Sequence, residues 1–337
     1  MKTYVSVAKG PVFDTFFTEE NIALLESLGE VVWYEGTASK PSAEEVAAQI
    51  GDCDACLTLW GSPRLDETIL KNAPNLKLLT HLAGTVVPFV SDELWERGIR
   101  VISGNDYFAE SVAEGTLAYM LASLRDIPYY SRRLKEDRVW KTPADFTKGM
   151  AGKTIGLVSY GAIAKYLVRL LSVFRVKIKV YDIVPLPAED VARYGLEQAS
   201  LEEIFSTCDI ISIHTPLFDA THHLINGNLL SMIQKGALLI NTSRGPIIDQ
   251  AALERELATG RFSAVLDVYE EEPVTRAKTT LFDLPNVMML PHQGGPTTDL
   301  RAYIARELIL ESAAFLHEGK ELPHEITKER AGFMSAH

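Results

Sequence analysis

Three polar side chains, Arg244, Glu272 and His292, each lie at or just beyond the end of a predicted strand. An arginine presents a planar fork that can bind a carboxylate through two hydrogen bonds. A histidine can pass a proton in either direction near neutral pH, and a neighbouring carboxylate stabilises its protonated form. With a dinucleotide, this set suits hydride transfer to the carbonyl carbon of a 2-oxo acid, while His292 protonates the carbonyl oxygen. Each residue alone also has a simpler interpretation, as a surface ion pair, a solvated acid or a capped loop residue.

The stretch from Lys153 to Asp182 is the candidate for the dinucleotide site. Its apolar pattern predicts a buried strand, a tight turn at Ser159–Ala162, a helix with one apolar face, and a second strand that ends at Asp182. A dinucleotide fingerprint has glycines in such a turn and an acid about 20 residues later. Here the glycine pattern is incomplete, because Ser159 and Ala164 occupy the first and third glycine positions.

The composition excludes several classes of protein. The chain has 337 residues, 47% of them hydrophobic, which is enough for the cores of two domains. The net charge of −12 argues against a nucleic-acid or acidic-membrane surface. The three cysteines, Cys53, Cys56 and Cys208, predict no disulfide framework, and we interpret Cys53 and Cys56 as buried residues rather than a redox or metal motif. Without a signal peptide or an apolar run of roughly 18 residues, the chain is expected to be cytoplasmic.

Short apolar runs alternate with helical patterns along most of the chain, which predicts an α/β fold with parallel sheets. We predict two Rossmann/flavodoxin-like, doubly wound domains with an active-site cleft between them. Residues 1–104 plus 296–337 form the predicted substrate-binding domain, and residues 105–295 the predicted NAD-binding domain. A final long helix, Thr298 to Phe315, is expected to pack on the first domain. Polar clusters follow the strand ends of the second domain, where this architecture binds ligands.

From Leu76 to Arg301 the chain resembles the D-isomer-specific 2-hydroxyacid dehydrogenase family. The matching motifs occur in the family's order and are Ser111-Val112-Ala113-Glu114 with Arg125, Gly152-Lys153-Thr154-Ile155-Gly156, His214-Thr215-Pro216-Leu217 with Thr221, Asn241-Thr242-Ser243-Arg244-Gly245 with Asp249, Leu266-Asp267-Val268-Tyr269 with Glu272-Pro273, and Pro291-His292 with Gly295 and Thr297. The resemblance implies an enzyme that interconverts 2-hydroxy and 2-oxo acids with NAD.

The resemblance also implies roles for single residues. Arg244 matches the arginine that holds the substrate carboxylate and carbonyl, His292 the acid/base, and Glu272 the acid hydrogen-bonded to it. Asp267 matches the residue that meets the nicotinamide carboxamide. Asp182 matches the acid on the adenosine ribose, and its charge favours NAD over NADP. The other implied cofactor-binding positions are Tyr160, Gly161, Ala162, Ile163, His214, Thr215, Pro216, Thr221, Thr242, Ser243, Gly294 and Gly295, with His292 again among them.

Several positions depart from the family pattern. Ala83-Gly84-Thr85 align with the Gly-Val-Gly segment whose backbone binds the substrate carboxylate, and Val87 stands where the family has an aspartate. Trp60 is placed by alignment near the same pocket. In the phosphate turn, Ser159 replaces a glycine, at a cost of about 1 kcal/mol if its backbone is left-handed. These changes bear on substrate and cofactor affinity more than on the fold.

The resemblance implies a homodimer, which favours an intersubunit role for the polar and aromatic segment from Tyr129 to Met150 over a solvated loop. We expect a small-molecule 2-hydroxy or 2-oxo acid as partner, no nucleic acid, no membrane and no metal. Alternatives are the same fold with NADP, a phosphoglycerate-type dehydrogenase, or a non-catalytic NAD-sensing interaction protein. We expect no regulatory domain to follow residue 337, which disfavours a long, serine-regulated phosphoglycerate dehydrogenase.

Overall fold

The computed structural model describes residues 1–335, which form two compact units. The first contains Met1–Phe108 and the chain from Pro296 onward, and the second contains Ala109–Gly295. Each unit has its own parallel sheet covered by helices, which confirms the predicted class of two α/β domains. The functional roles assigned to the predicted domains stay predictions.

Helices occur in both units. Their bounds are α1 (Pro11–Phe16), α2 (Glu19–Ser27), α3 (Ala43–Ile50), α4 (Glu67–Leu70), α5 (Asp92–Glu96), α6 (Asn105–Leu124), α7 (Ile127–Arg132), α8 (Ala162–Leu171), α9 (Ala188–Tyr194), α10 (Leu201–Thr207), α11 (Gly227–Met232), α12 (Gln250–Leu257), α13 (Thr298–Glu318) and α14 (Lys328–Ala331). Several begin at a side-chain cap. Ser42 and Glu45 form the reciprocal capping box of α3.

The first unit is built on a sheet of five parallel strands. They are β1 (Lys2–Ser6), β2 (Glu30–Trp33), β3 (Ala55–Thr58), β4 (Leu78–His81) and β5 (Arg100–Ser103), in the order β2-β1-β3-β4-β5. This is the flavodoxin-like strand order. Successive residues of a strand pack on opposite faces of the sheet. Tyr4 belongs to one apolar cluster and Val5 to another. Burial on both faces explains why the strands read as continuous apolar runs.

Helix α13 packs on this first sheet, as predicted. Its buried residues Ile304, Leu308 and Ile309 share an apolar cluster with Val5 and Leu57 of the sheet. The helix thus returns the chain to the unit in which it began.

The second unit is built on a sheet of seven parallel strands. They are β6 (Thr154–Val158), β7 (Lys177–Tyr181), β8 (Leu196–Gln198), β9 (Ile210–Ile213), β10 (Leu238–Asn241), β11 (Ser263–Leu266) and β12 (Val287–Met289), in the order β12-β11-β10-β9-β6-β7-β8. Counted within the unit, the order of the first six strands is that of a Rossmann fold. The edge strand β8 and the helix α9 before it escaped sequence analysis, because β8 is short and largely exposed.

The direction of winding reverses between β6 and β9, which lie side by side in the middle of this sheet. Ligands of open α/β sheets bind at the carboxyl ends of the strands at such a reversal. The turn at Ser159–Ala162 follows β6, and His214–Pro216 follow β9. The topology therefore brings two of the predicted cofactor segments to the same place.

The segment that was predicted as an intersubunit arm is partly helical. After α7 comes a π-helical turn, Arg133–Asp137, and then an irregular stretch. Asp145 ties this stretch down, because its carboxylate accepts hydrogen bonds from Arg133 Nη1 at 2.6 Å and from the backbone N–H of Thr142 at 2.6 Å. Trp140 and Phe146 nevertheless remain 71% and 79% exposed.

The structure also bears on the expected burial of the cysteines and on the expectation of no membrane-spanning segment. Cys53, Cys56 and Cys208 are all buried free thiols, and burial raises the pKa of each of them. Their surroundings are those of core residues, as expected. Among residues 1–335, no helix combines the length and apolar character that crossing a membrane would require.

Candidate active site

His292 and Glu272 form a directly hydrogen-bonded pair in the second unit. His292 Nδ1 lies 2.7 Å from Glu272 Oε2, and the other carboxylate oxygen accepts the backbone N–H of Tyr269 at 3.0 Å. The imidazole is half exposed, with 49% of its side-chain surface accessible. A histidine whose Nδ1 faces a carboxylate keeps Nε2 available for a proton transfer.

Asp267 holds the loop that carries this histidine. Its carboxylate is 1% exposed and accepts the backbone N–H groups of Gln293 and Gly294, each at 2.7 Å. The backbone carbonyl of Asp267 accepts the N–H of His292 at 2.9 Å. A Cβ at position 294 would lie 2.7 Å from Asp267 Oδ2, so this tight loop requires a glycine there. Asp267 is therefore the structural anchor of the His292 loop, whatever contact it makes with a cofactor.

Arg244 is positioned by a turn that Asn241 closes. The Asn241 side chain donates to the carbonyl of Arg244 at 2.9 Å and accepts the N–H of Ser243 at 3.0 Å. The guanidinium donates to the Ser243 carbonyl at 2.7 Å. Burial lowers the pKa of Arg244, and the nearby Glu272 carboxylate opposes that change. A half-buried guanidinium of this kind is suited to an anionic substrate group.

The turn after β6 presents an open helix terminus. Gly161 is the N-cap of α8, no side chain caps that helix, and a Cβ at Gly161 would meet no atom within 4 Å. The first N–H groups of a helix lack intrahelical partners and attract anions. The helix begins at Ala162 and Ile163, so the backbone there suits a pyrophosphate. The Tyr160 side chain, in contrast, is buried in the core below the turn.

Ser159 adopts the left-handed conformation that a glycine would adopt without cost. Its φ is 76°, and its hydroxyl lies 2.9 Å from the hydroxyl of Thr215. The left-handed backbone of Ser159 costs free energy, and the hydrogen bond to Thr215 offsets part of this cost. The bond joins the turn after β6 to the segment after β9. The sequence alone left this geometry open.

Asp182 follows β7 and faces the same turn. Its carboxylate accepts the backbone N–H of Tyr160 at 2.7 Å and that of Val184 at 3.1 Å. These bonds use only part of the carboxylate's acceptor capacity, so it can still accept from ribose hydroxyls. The neighbouring Ile183 is 81% exposed and adds an apolar surface beside the acid.

The segment after β9 is held by Thr221 and by the neighbouring strand loop. Thr221 Oγ1 donates to the Pro216 carbonyl at 2.7 Å, and the Ser243 hydroxyl donates to the carbonyl of Thr215. His214 is buried, neither of its ring nitrogens has a hydrogen-bond partner within the described protein, and burial lowers its pKa to about 4. An orphaned polar ring at a strand end is consistent with a site that a ligand completes.

The predicted substrate loop belongs to the first unit. Ala83 is buried, and Thr85 Oγ1 donates to the Ser335 carbonyl at 2.7 Å. A Cβ at Gly84 would lie 3.6 Å from the Phe108 ring, and Trp60 packs edge-on against the same ring with centroids 5.9 Å apart. Trp60 thus lies near the loop, as the alignment suggested.

The structure brings nearly all of the predicted cofactor and catalytic residues to the strand ends of one sheet. Three supporting contacts were not assigned from the sequence. Asn241 closes the arginine turn, the Thr116 hydroxyl lies 3.1 Å from that of Thr242, and the Ser111 hydroxyl donates to the Gly295 carbonyl at 3.3 Å. Asn241 and Ser111 were within recognised motifs, but only their contacts reveal what they do.

Comparison with known proteins agrees with this geometry. Residues 117–294 match the family described as D-isomer specific 2-hydroxyacid dehydrogenase, NAD binding domain. The chain belongs to the D-isomer specific 2-hydroxyacid dehydrogenase family. It is therefore an NAD-dependent oxidoreductase of 2-hydroxy acids, acting on a CH–OH group.

Individual relatives extend over nearly the whole chain. The chain is 34% identical to a glyoxylate reductase of Thermofilum pendens, with 92% of each chain covered, and 31% identical to a hydroxypyruvate reductase of Thermotoga maritima, with 82% of this chain and 89% of the relative covered. The crystal structure of a D-mandelate dehydrogenase from Rhodotorula graminis superposes with a TM-score of 0.80 at 25% identity, covering 97% of this chain and 98% of the other.

Ser159 offers a test of the phosphate turn. Replacing Ser159 by alanine keeps the left-handed strain and loses the hydrogen bond to Thr215, whereas glycine loses the bond but also relieves the strain. We expect Ser159→Gly to be more stable than Ser159→Ala by about 1 kcal/mol, measured by urea unfolding. Equal stability of the two variants would show that Ser159 is not strained.

Proposed function

We propose that this chain reduces a short 2-oxo acid to its D-2-hydroxy acid with NADH, and that Arg244, Glu272 and His292 carry out the substrate chemistry. The observation that carries the proposal is the 2.7 Å contact between His292 Nδ1 and Glu272, held on a loop that Asp267 fixes. Bound NADH supplies the hydride that reduces the carbonyl carbon.

His292 would deliver the proton from Nε2. Because Nδ1 faces the Glu272 side chain, a carboxylate there would stabilise the imidazolium before the transfer and would keep the proton on Nδ1 afterwards. In the oxidative direction, neutral Nε2 would accept the alcohol proton. Nε2 of His292 would thus serve both proton transfers.

Arg244 would bind the substrate carboxylate and polarise the carbonyl. Its backbone is fixed by Asn241, so the guanidinium starts from a defined position, and its partial burial strengthens its attraction to an anion. We assign substrate binding to the first unit as well, through the backbone of Ala83–Thr85, and NAD binding to the second. The cofactor would be held at Gly161–Ile163 and Asp182, with the remaining predicted positions lining the site.

The proposal defines the reaction more closely than it defines the acid that is reduced. Relatives named glyoxylate reductase and hydroxypyruvate reductase favour a small 2-oxo acid, and the bulk of Trp60 near the substrate loop agrees with this. A phosphoglycerate-type activity is the alternative, since the chain is 30% identical to a D-3-phosphoglycerate dehydrogenase of Mycobacterium tuberculosis and spans 56% of it. A panel of glyoxylate, hydroxypyruvate, pyruvate and phenylglyoxylate with NADH, and of 3-phosphoglycerate with NAD, separates these activities.

Removal of the acid/base tests the mechanism. We expect His292→Asn to lower kcat by about 10²- to 10⁴-fold, because the transition state loses its proton donor. The affinity for NADH, measured by fluorescence titration, should change little. His317→Asn is the matched control, since His317 is exposed in the first unit and bonds only a backbone carbonyl among its described contacts. Full turnover by His292→Asn would refute this mechanism. Failure of the wild type to turn over any member of the panel would instead refute the proposed substrate class.

The choice of dinucleotide rests on Asp182. Its carboxylate would repel a ribose phosphate, so we expect kcat/KM to be higher with NADH than with NADPH by about tenfold or more. Asp182→Asn removes the charge but keeps an acceptor, and should reduce this ratio mainly by improving NADPH. Glu189→Gln removes an exposed acid from the same unit and serves as control. Equal kcat/KM for both dinucleotides in the wild type would contradict the proposal.

We further propose a homodimer in the cytoplasm, formed through the segment from Tyr129 to Met150. Two large aromatic side chains, Trp140 and Phe146, lie exposed on this ordered segment, and aromatic residues of this kind are typical of interface cores. Light scattering at micromolar protein should give the dimer mass for the wild type and a lower mass for Trp140→Ser/Phe146→Ser. Phe333→Ser, at a residue that is 72% exposed in the first unit, should leave the mass unchanged. A monomeric wild type would disprove this assembly.

A further inference from the structure

Two adjacent histidines and a glutamate converge at the surface of the second unit. His223 Nε2 lies 3.2 Å from each carboxylate oxygen of Glu270, and His222 Nε2 lies 3.9 Å from Glu270 Oε1. The two imidazole rings stack with centroids 4.0 Å apart. One ligand atom from each of the three residues lies within 4.8 Å of the others, and within residues 1–335 no other group of three or more His, Cys, Asp or Glu side chains meets this condition. The proposed reaction uses none of the three.

An unusual backbone conformation brings the two rings together. Side chains of adjacent residues in extended chain point in opposite directions. His223 has a φ of 52°, in the left-handed region, and this places its ring on the same side as that of His222. Such a conformation occurs at only a few per cent of residues other than glycine, although histidine is among the residues enriched in it, and it is frequent at functional sites. Ser159 and His292, both in the proposed active site, have the same feature.

The cluster is also preorganised by bonds to the backbone. The N–H of His223 donates to the Pro246 carbonyl at 2.8 Å, and the N–H of Glu270 donates to the Gln250 side chain at 2.9 Å. Gly245 lies against the backbone of Tyr269 and Glu270 so closely that a Cβ there would overlap it. The segments that carry the histidines and the acid are therefore fixed relative to each other. Binding of one ion between them would replace the present contacts of His223 Nε2 with the Glu270 carboxylate.

We propose that His222, His223 and Glu270 bind one Zn²⁺ ion. Two imidazoles and a carboxylate are ligands that Zn²⁺ prefers, and the fourth position of a tetrahedral site would be taken by water. Zn–N and Zn–O distances of about 2.0–2.2 Å place tetrahedral ligand atoms about 3.4 Å apart. The two histidine–glutamate separations of 3.2 and 3.9 Å come near this value, and the ligand atoms of the two histidines lie within 4.8 Å of each other. The expectation that the chain has no metal site stays a prediction, and Zn²⁺ binding would contradict it. The proposed site does not depend on the proposed function.

Direct binding of Zn²⁺ tests the site. Calorimetric titration of the whole chain with zinc chloride, at neutral pH and in a buffer that does not chelate, should show one ion bound per chain. Mg²⁺ should not compete, because it prefers oxygen ligands in octahedral geometry. His222→Gln removes one ligand and leaves the His223–Glu270 pair, and we expect it to weaken Zn²⁺ binding at least about tenfold. The side chain of His222 is 52% exposed, so the variant is expected to fold.

A second variant separates this cluster from the active site. The exposed His292–Glu272 pair could itself attract Zn²⁺, so His292→Asn should retain the wild-type affinity. Thermal unfolding provides an independent measurement, since a ligand that binds the folded chain raises Tm. Zn²⁺ should raise the Tm of the wild type and of His292→Asn more than that of His222→Gln. Equal Zn²⁺ affinity in the wild type and His222→Gln, or its loss in His292→Asn, would overturn the proposal.

Discussion

A buried carboxylate governs the geometry of the candidate site. Asp267 stands at the end of β11, almost without exposure, and the backbone N–H groups of Gln293 and Gly294 bind its two oxygens. A buried charge without partners would destabilise the fold, so these two bonds are required for stability as much as for position. Through them the loop after β12 is fixed, and with it the backbone of His292. This loop carries the imidazole that contacts Glu272.

Left-handed backbone at residues other than glycine recurs where polar side chains converge. Ser159 turns the chain from β6 into α8, His223 aligns two imidazoles, and His292 stands between its anchor and Glu272. Each conformation costs on the order of 1 kcal/mol and persists because surrounding contacts offset it. Strain of this kind indicates positions where geometry has precedence over local stability.

The sheet order explains why distant segments of the chain meet. The strands are parallel and their crossovers place β6 beside β9, so the segments that follow these strands emerge at one edge. Hydrogen bonds then connect the loops that follow neighbouring strands. Ser159 contacts Thr215, and the Ser243 hydroxyl donates to the Thr215 carbonyl. The loop at Thr215 therefore links the phosphate turn to the turn that carries Arg244 through direct hydrogen bonds.

The sequence by itself determined the fold class, the course of most strands and helices, and the family. Apolar periodicity reports burial on one or both faces of an element, and Arg244, Glu272 and His292 stand in motifs whose residue types already specify a chemistry. The sequence did not predict β8, because a short exposed edge strand has little apolar pattern. The bond of Ser159 to Thr215, the burial of Tyr160 and the anchoring role of Asp267 required the tertiary structure. The same is true of the cluster at His222, His223 and Glu270, because the glutamate lies far along the chain from the two adjacent histidines. Such contacts depend on side-chain direction and on the exact path of the backbone, and neither is encoded in local periodicity.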